Sequence, residues 1–234
     1  MNYSTGRSAY VTTGSAERAS DALWVTYRWM TLGLALTGLV ALGVASSPSL
    51  IQVLIGNRIL FFALLFGQIG LVLAFSSLAM RVSATVAALL FFSYAALTGV
   101  TFSTLFLVYT ATSIATTFFI TAGAFGGLSA FGAITRRDLS GFGRFALFAL
   151  FGIILASVVN MFVRSSGLDW IVSVVGVLLF AGLTAYDTQR IKAMMLQADA
   201  GATNLPLVGA LTLYLDFINM FLFLLRFLGD RRRD

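Results

Sequence analysis

Seven apolar runs of roughly 20 residues, separated by short polar connections, leave this chain few ways to fold. A run of that length carries one helix across a bilayer, because hydrocarbon offers nothing to backbone N–H and C=O groups and each segment must satisfy its own. The runs cover Trp24–Ala45, Ile59–Met80, Ala84–Tyr109, Ile114–Ile134, Phe145–Val163, Trp170–Asp187 and Leu205–Leu228. The fold class is therefore an all-α polytopic membrane protein with seven transmembrane helices. Only 10% of the residues are charged, against about 25% in soluble domains. The chain divides into a polar N-terminal tail over 1–22, a helical domain over 23–228 and a basic tail over 229–234. No long internal repeat points to an inverted-repeat transporter.

Lysine and arginine placement orients the bundle. With the N-terminus in the cytoplasm, inner segments carry Arg7, Arg18, Arg28, Arg81, Arg136, Arg137, Arg144, Arg190 and Lys192, and outer loops carry Arg58 and Arg164. The run Arg231–Arg233 runs against this rule if all seven helices cross, so a re-entrant last helix with its tail inside stands as an alternative. Residues 1–22 lack an apolar h-region, so no cleaved signal peptide is expected and the first helix serves as its own insertion signal. Short loops and a preference for arginine over lysine suit a bacterial inner membrane.

The residues that are missing narrow the chemistry. There is no cysteine and no histidine, which removes disulfides, thiol nucleophiles, Ser-His-Asp relays and the usual zinc sites. No cofactor and no dedicated metal site are expected. The net charge of +6 reads as loop arginines facing anionic lipid, and no basic run interleaved with aromatics points to nucleic acid.

Two acids stand out against this background. Asp187 and Asp216 lie in the sixth and seventh runs, where a carboxylate costs roughly 2.5–3.5 kcal/mol at a helix centre. Counted from Trp170, Asp187 falls ~25 Å into its helix; counted from Leu205, Asp216 falls ~16 Å into the next. The two depths differ by about 10 Å unless the last helix starts one turn into the cytoplasm. Asn204-Leu205-Pro206, a cap followed by a first-turn proline, allows that. Two carboxyls brought together in low dielectric cannot both ionise cheaply; they titrate as one unit around a shared proton. The competing arrangement is a salt bridge from Asp187 to Arg190, one turn away, or to Arg81 at the end of the second helix. The two can also be alternate states of one switch.

Gly209, Thr212, Asp216, Asn219 and Phe223 share one arc of the last helix. Thr212, Asn219 and Phe223 are thus candidates for lining a water-reachable path, or else for an interhelical hydrogen-bond seam. Gly123-Ala124-Phe125-Gly126-Gly127 forms a small-xxx-small pattern suited to close helix packing. Thr135-Arg136-Arg137-Asp138 reads as a solvated cytoplasmic turn.

The segments Ala185-Tyr186-Asp187-Thr188-Gln189-Arg190-Ile191 and Leu213-Tyr214-Leu215-Asp216-Phe217-Ile218-Asn219, continued by Leu224-Leu225-Arg226-Phe227, resemble the Bax inhibitor-1 family, the transmembrane BAX inhibitor motif proteins. Arg137-Asp138-Leu139-Ser140 and Asn160 also look like its pattern. The resemblance spans the helical domain and implies seven helices with the last one central. It further implies a pH-sensitive, calcium-permeable leak in which Asp187 and Asp216 sense protons and Arg81, with Arg190 as alternative, latches one of them. Some relatives carry an acid within the second helix; this chain has Gly67 and Gln68, which bears on calcium, a cation of oxygen ligands. The partners implied are the lipid bilayer, calcium and protons, with a membrane protease in the alternative role of a non-conducting regulator.

A different class also pairs aspartates on adjacent helices: the intramembrane aspartyl proteases. Their second motif places glycines before the acid, whereas Leu213-Tyr214-Leu215 is bulky here, so no enzyme is expected. A retinal receptor is disfavoured because Lys192, the one lysine, lies outside the seventh helix.

Overall fold

The polar connections supply the caps that the helices need. Asn57, Ser83, Thr110 and Ser165 each accept, through the side chain, the N–H three residues ahead, at 3.0, 3.4, 3.2 and 3.3 Å. These caps open α3 (Arg58–Leu78), α4 (Ala84–Phe102), α6 (Ala111–Ile134) and α8 (Ser166–Gln197). The other elements are α1 (Ser4–Ala45), α2 (Pro48–Gly56), the single turn α5 (Leu105–Val108), α7 (Ser140–Val163) and α9 (Leu205–Leu228). The computed structural model describes residues 4–198 and 203–232, with side chains from residue 17 onward. Residues 1–3 and the expected tail residues Arg233 and Asp234 lie outside them, as does the side chain of Arg7.

Among the described residues, seven helical segments are long and apolar enough to cross a membrane: α1, α3, α4 with α5, α6, α7, α8 and α9. Large apolar side chains cover the outside, with Ile59, Phe148 and Phe162 more than three-quarters exposed. A surface like that belongs in lipid. The boundaries depart from the sequence reading in three places. First, α1 begins at Ser4, so the polar tail continues the first helix instead of preceding it. Secondly, the third crossing breaks at Ser103–Thr104, where the hydroxyls of Thr101, Ser103 and Thr104 donate to Thr98 O, Val100 O and Thr101 O and draw those carbonyls from the helix ladder. Thirdly, α8 runs ten residues beyond Asp187.

α9 occupies the centre, packed against α8, α1 and α6 with α4 nearby. Buried residues surround it on all sides, among them Leu207, Leu213, Tyr214, Phe217, Met220 and Leu225, which is the mark of an interior helix. By contrast, α3 and α7 lie at the periphery. Its C-terminal end meets the α5–α6 and α7–α8 connections. Thr110 N–H donates to Asp230 O at 3.2 Å, Arg232 N–H to Val108 O at 2.9 Å, and Arg226 pairs with Asp169. The last helix therefore crosses fully, and the re-entrant alternative is not adopted.

The glycine cluster also reads differently in three dimensions. A side chain at Gly123, Gly126 or Gly127 meets nothing, so these positions face outward. The close approach of α6 is at Gly132, where a Cβ would collide with the backbone carbonyl of Ala185 in α8.

Candidate functional site

The two acids meet because α8 and α9 are an antiparallel hairpin with matched offsets. Asp187 stands ten residues before the end of α8 and Asp216 eleven residues after the start of α9. At 1.5 Å per residue that is ~15 and ~16 Å from the same end of the bundle. The expected 10 Å mismatch arose from ending the sixth helix at Asp187, where the apolar run stops. The helix continues through Gln189, Arg190 and Lys192, and that polar extension restores the register. Its side chains are anchored: Gln189 accepts from Leu139 N–H at 3.0 Å and donates to Arg137 O at 2.8 Å, and Lys192 Nζ donates to Ala133 O at 2.7 Å. The Arg136–Asp138 turn is thus clamped to α8, not merely solvated.

Both carboxyls are buried, Asp187 8% and Asp216 5% exposed, and they lie within hydrogen-bonding reach of each other. Asp216 Oδ2 is buried with no hydrogen-bond partner among the described residues. Arg81 and Arg190 are both exposed, and neither forms an ion pair with Asp187. A carboxyl facing a carboxyl has no donor of its own unless one of the two carries a proton.

Other elements enclose the pair. Next to Asp187, Thr188 Oγ1 lies 2.9 Å from Ser129 Oγ of α6, and Ser129 lies 2.5 Å from Tyr27 OH of α1. Two residues before Asp216, Tyr214 OH sits 2.7 Å from Thr37 Oγ1. Beyond it, Thr98 donates to Gln68 at 3.4 Å, and Gln68 to Thr101 at 3.3 Å. Gln68 takes its place in this neutral network between α3 and α4.

The last helix carries a second correction. Asn204 makes no side-chain cap to α9. Its Nδ2 donates instead to Ala79 O and Val82 O, each at 2.7 Å, stapling the start of α9 to the turn that bears Arg81. Of the candidate lining residues, Thr212 and Asn219 are half-buried and donate to carbonyls of their own helix, Val208 O at 3.1 Å and Leu215 O at 2.8 Å. Phe223 stacks on Phe180, centroids 5.9 Å apart, and fills the notch at Gly176. These bonds provide no interhelical seam.

At the opposite end, Asn160 accepts Ser165 N–H at 2.9 Å and donates to Asp169 at 3.4 Å; Asp169 in turn binds Arg226. Asp169–Arg226, Asn204 and Ser129 were invisible as partners in the sequence, since each pairing joins helices far apart in the chain. The one available cue was an amide or acid beside an apolar boundary.

Comparison with known proteins finds relatives over most of the chain. The family model described as "Inhibitor of apoptosis-promoting Bax1" matches residues 20–233. Inner membrane protein YbhL of Escherichia coli K12 is 50% identical over 210 residues, covering 88% of this chain and 90% of that protein. A protein of Borreliella burgdorferi is 47% identical over 208 residues, with 88% and 90% covered. One from Rickettsia prowazekii is 43% identical over 208 residues, with 88% of each covered.

Proposed function

From the premise that this chain belongs to the Bax inhibitor-1 family, as a multi-pass protein of a bacterial inner membrane, we propose that it is a pH-sensitive, calcium-permeable leak gated by Asp187 and Asp216. The observation that carries this reading is the meeting of the two buried acids with no base between them. One proton joins them; its loss leaves two like charges that repel by roughly 4 kcal/mol at 4 Å and an effective dielectric of about 20. That energy acts between α8 and the central helix. Separation frees Asp187 for Arg190 on its own helix or for Arg81 on the turn that Asn204 holds to α9.

On this reading the arrangement described corresponds to the closed gate. Phe217 and Phe221 are buried above the pair, and Phe223 closes the α8 side. α9 stays a regular helix through Leu213–Leu215, with Leu213 and Tyr214 fully buried. That supports a gate over a protease, which needs accessible backbone beside its second acid.

Purified protein in liposomes loaded with a calcium dye tests the proposal. Influx should vary with pH between about 5 and 8 and lose that variation, by about tenfold in the ratio of extremes, in Asp187→Asn and in Asp216→Asn. Absence of influx at every pH, or the same profile in both variants, removes the leak and leaves a non-conducting regulator.

A further inference from the structure

A cleft of about 530 Å³ opens between α1, α5, α6 and α9 in the outer half of the bundle, within the ~300–1,000 Å³ that ligand sites occupy. Leu34, Gly38, Leu42, Phe102, Phe106 and Phe118 line it, and its walls are almost wholly apolar. The helix break at Ser103–Thr104 borders it, with Phe102, Leu105 and Phe106 on its wall. The C-terminal segment pairs with the α5–α6 connection beside the cleft. Asp230–Arg232 runs antiparallel to the α5–α6 connection: Tyr109 pairs with Arg231, and Arg232 N–H donates to Val108 O. Residues on that connection's two flanks, Leu105 and Ala111, line the cleft. Arg232 is exposed and enters no ion pair among the described residues, whereas Arg231 turns toward Asn160 and Arg164.

We propose that this cleft is a phospholipid site: one acyl chain of an outer-leaflet phospholipid lies among Leu34, Gly38 and Phe118, and its phosphodiester meets Arg232. The occupant follows from the two chemistries placed end to end. A lateral apolar cleft in a bilayer takes hydrocarbon, and a cation at headgroup level selects hydrocarbon that ends in phosphate. Thr37, at the cleft's wall, also holds Tyr214 OH, so the occupant touches the same helix that carries Asp216.

Native mass spectrometry of the full chain in detergent, supplied with 1-palmitoyl-2-oleoyl phosphatidylglycerol or with the diacylglycerol of the same chains, tests this. Wild type should retain one phosphatidylglycerol and release the diacylglycerol at lower collision energy. Gly38→Leu adds bulk where a side chain meets nothing, so the fold accommodates it; it should hold the phospholipid about tenfold less well. Ala115→Leu, on the facing wall, serves the same purpose if Gly38→Leu melts lower than wild type. Arg232→Gln should abolish the preference for phosphatidylglycerol over diacylglycerol while leaving chain retention in place. Equal retention of both lipids by wild type, unchanged retention in both cleft-filling variants, or a dimer that those variants dissociate each overturns the proposal.

Discussion

α8 and α9 meet through charged groups twice, once near each end, and the two meetings are opposites. At the outer end Asp169 faces Arg226, with side chains 29% and 33% exposed, and Asn160 steadies the acid. Towards the inner end acid faces acid, more deeply buried, with no base supplied. The first arrangement satisfies its charges at any ordinary pH and acts as a clasp. On the proposed reading the second depends on a proton and so on the solution. One pair of helices thus carries an acid–base pair near one end and an acid–acid pair near the other, and the proposed gate makes only the second titratable.

That contrast can be broken from either side. The largest structural effect is expected from Gly132→Val, which drives a side chain into the Ala185 carbonyl two residues from Asp187. It should cost about 3 kcal/mol, read by thermal unfolding in detergent, and should alter the pH profile of the proposed leak. An unchanged melt would mean that α6 does not hold the inner meeting in place. Next comes Arg226→Gln. Both partners keep about a third of their exposure, so the loss should be about 1 kcal/mol and should be the same at pH 5 and pH 8. A pH-dependent loss there would erase the distinction between the two ends.

The smallest effect belongs to Asp138, outside the membrane. The Ser140 backbone N–H, then its hydroxyl, donate to this carboxylate at 2.9 Å and hold its pKa below the ordinary aspartate value. A lowered pKa gives a contribution that is complete above the unfolded value and lost as pH falls through the folded one. Asp138→Asn should therefore lower the melting temperature slightly at neutral pH, by an amount that shrinks as the pH falls below the ordinary aspartate value of about 3.9. A difference that grows on acidification would contradict that sign.

Some of the candidate site was legible before any coordinates. A carboxylate amid apolar residues announces itself because hydrocarbon penalises it, and both acids were found on that ground. Their partner was not legible, because Asp187 looked like the end of its helix. The apolar run stops there, yet α8 continues on polar residues secured by Gln189 and Lys192 to the neighbouring turn. Asn204 looked like a cap for the same local reason and serves as a staple to a turn more than a hundred residues earlier.

The sequence by itself determined seven crossings, an all-helical fold and the two acids, because a bilayer imposes length and apolarity on each helix separately. Only the tertiary structure decided which helix is central, which glycine permits close contact, where the last helix ends and which charges face each other. In lipid the buried and exposed faces of a helix are both apolar, so hydrophobic patterning carries no signal of neighbours. Those choices rest on backbone clearance at Gly132, on the register of the α8–α9 hairpin and on side-chain bonds between helices distant in the chain.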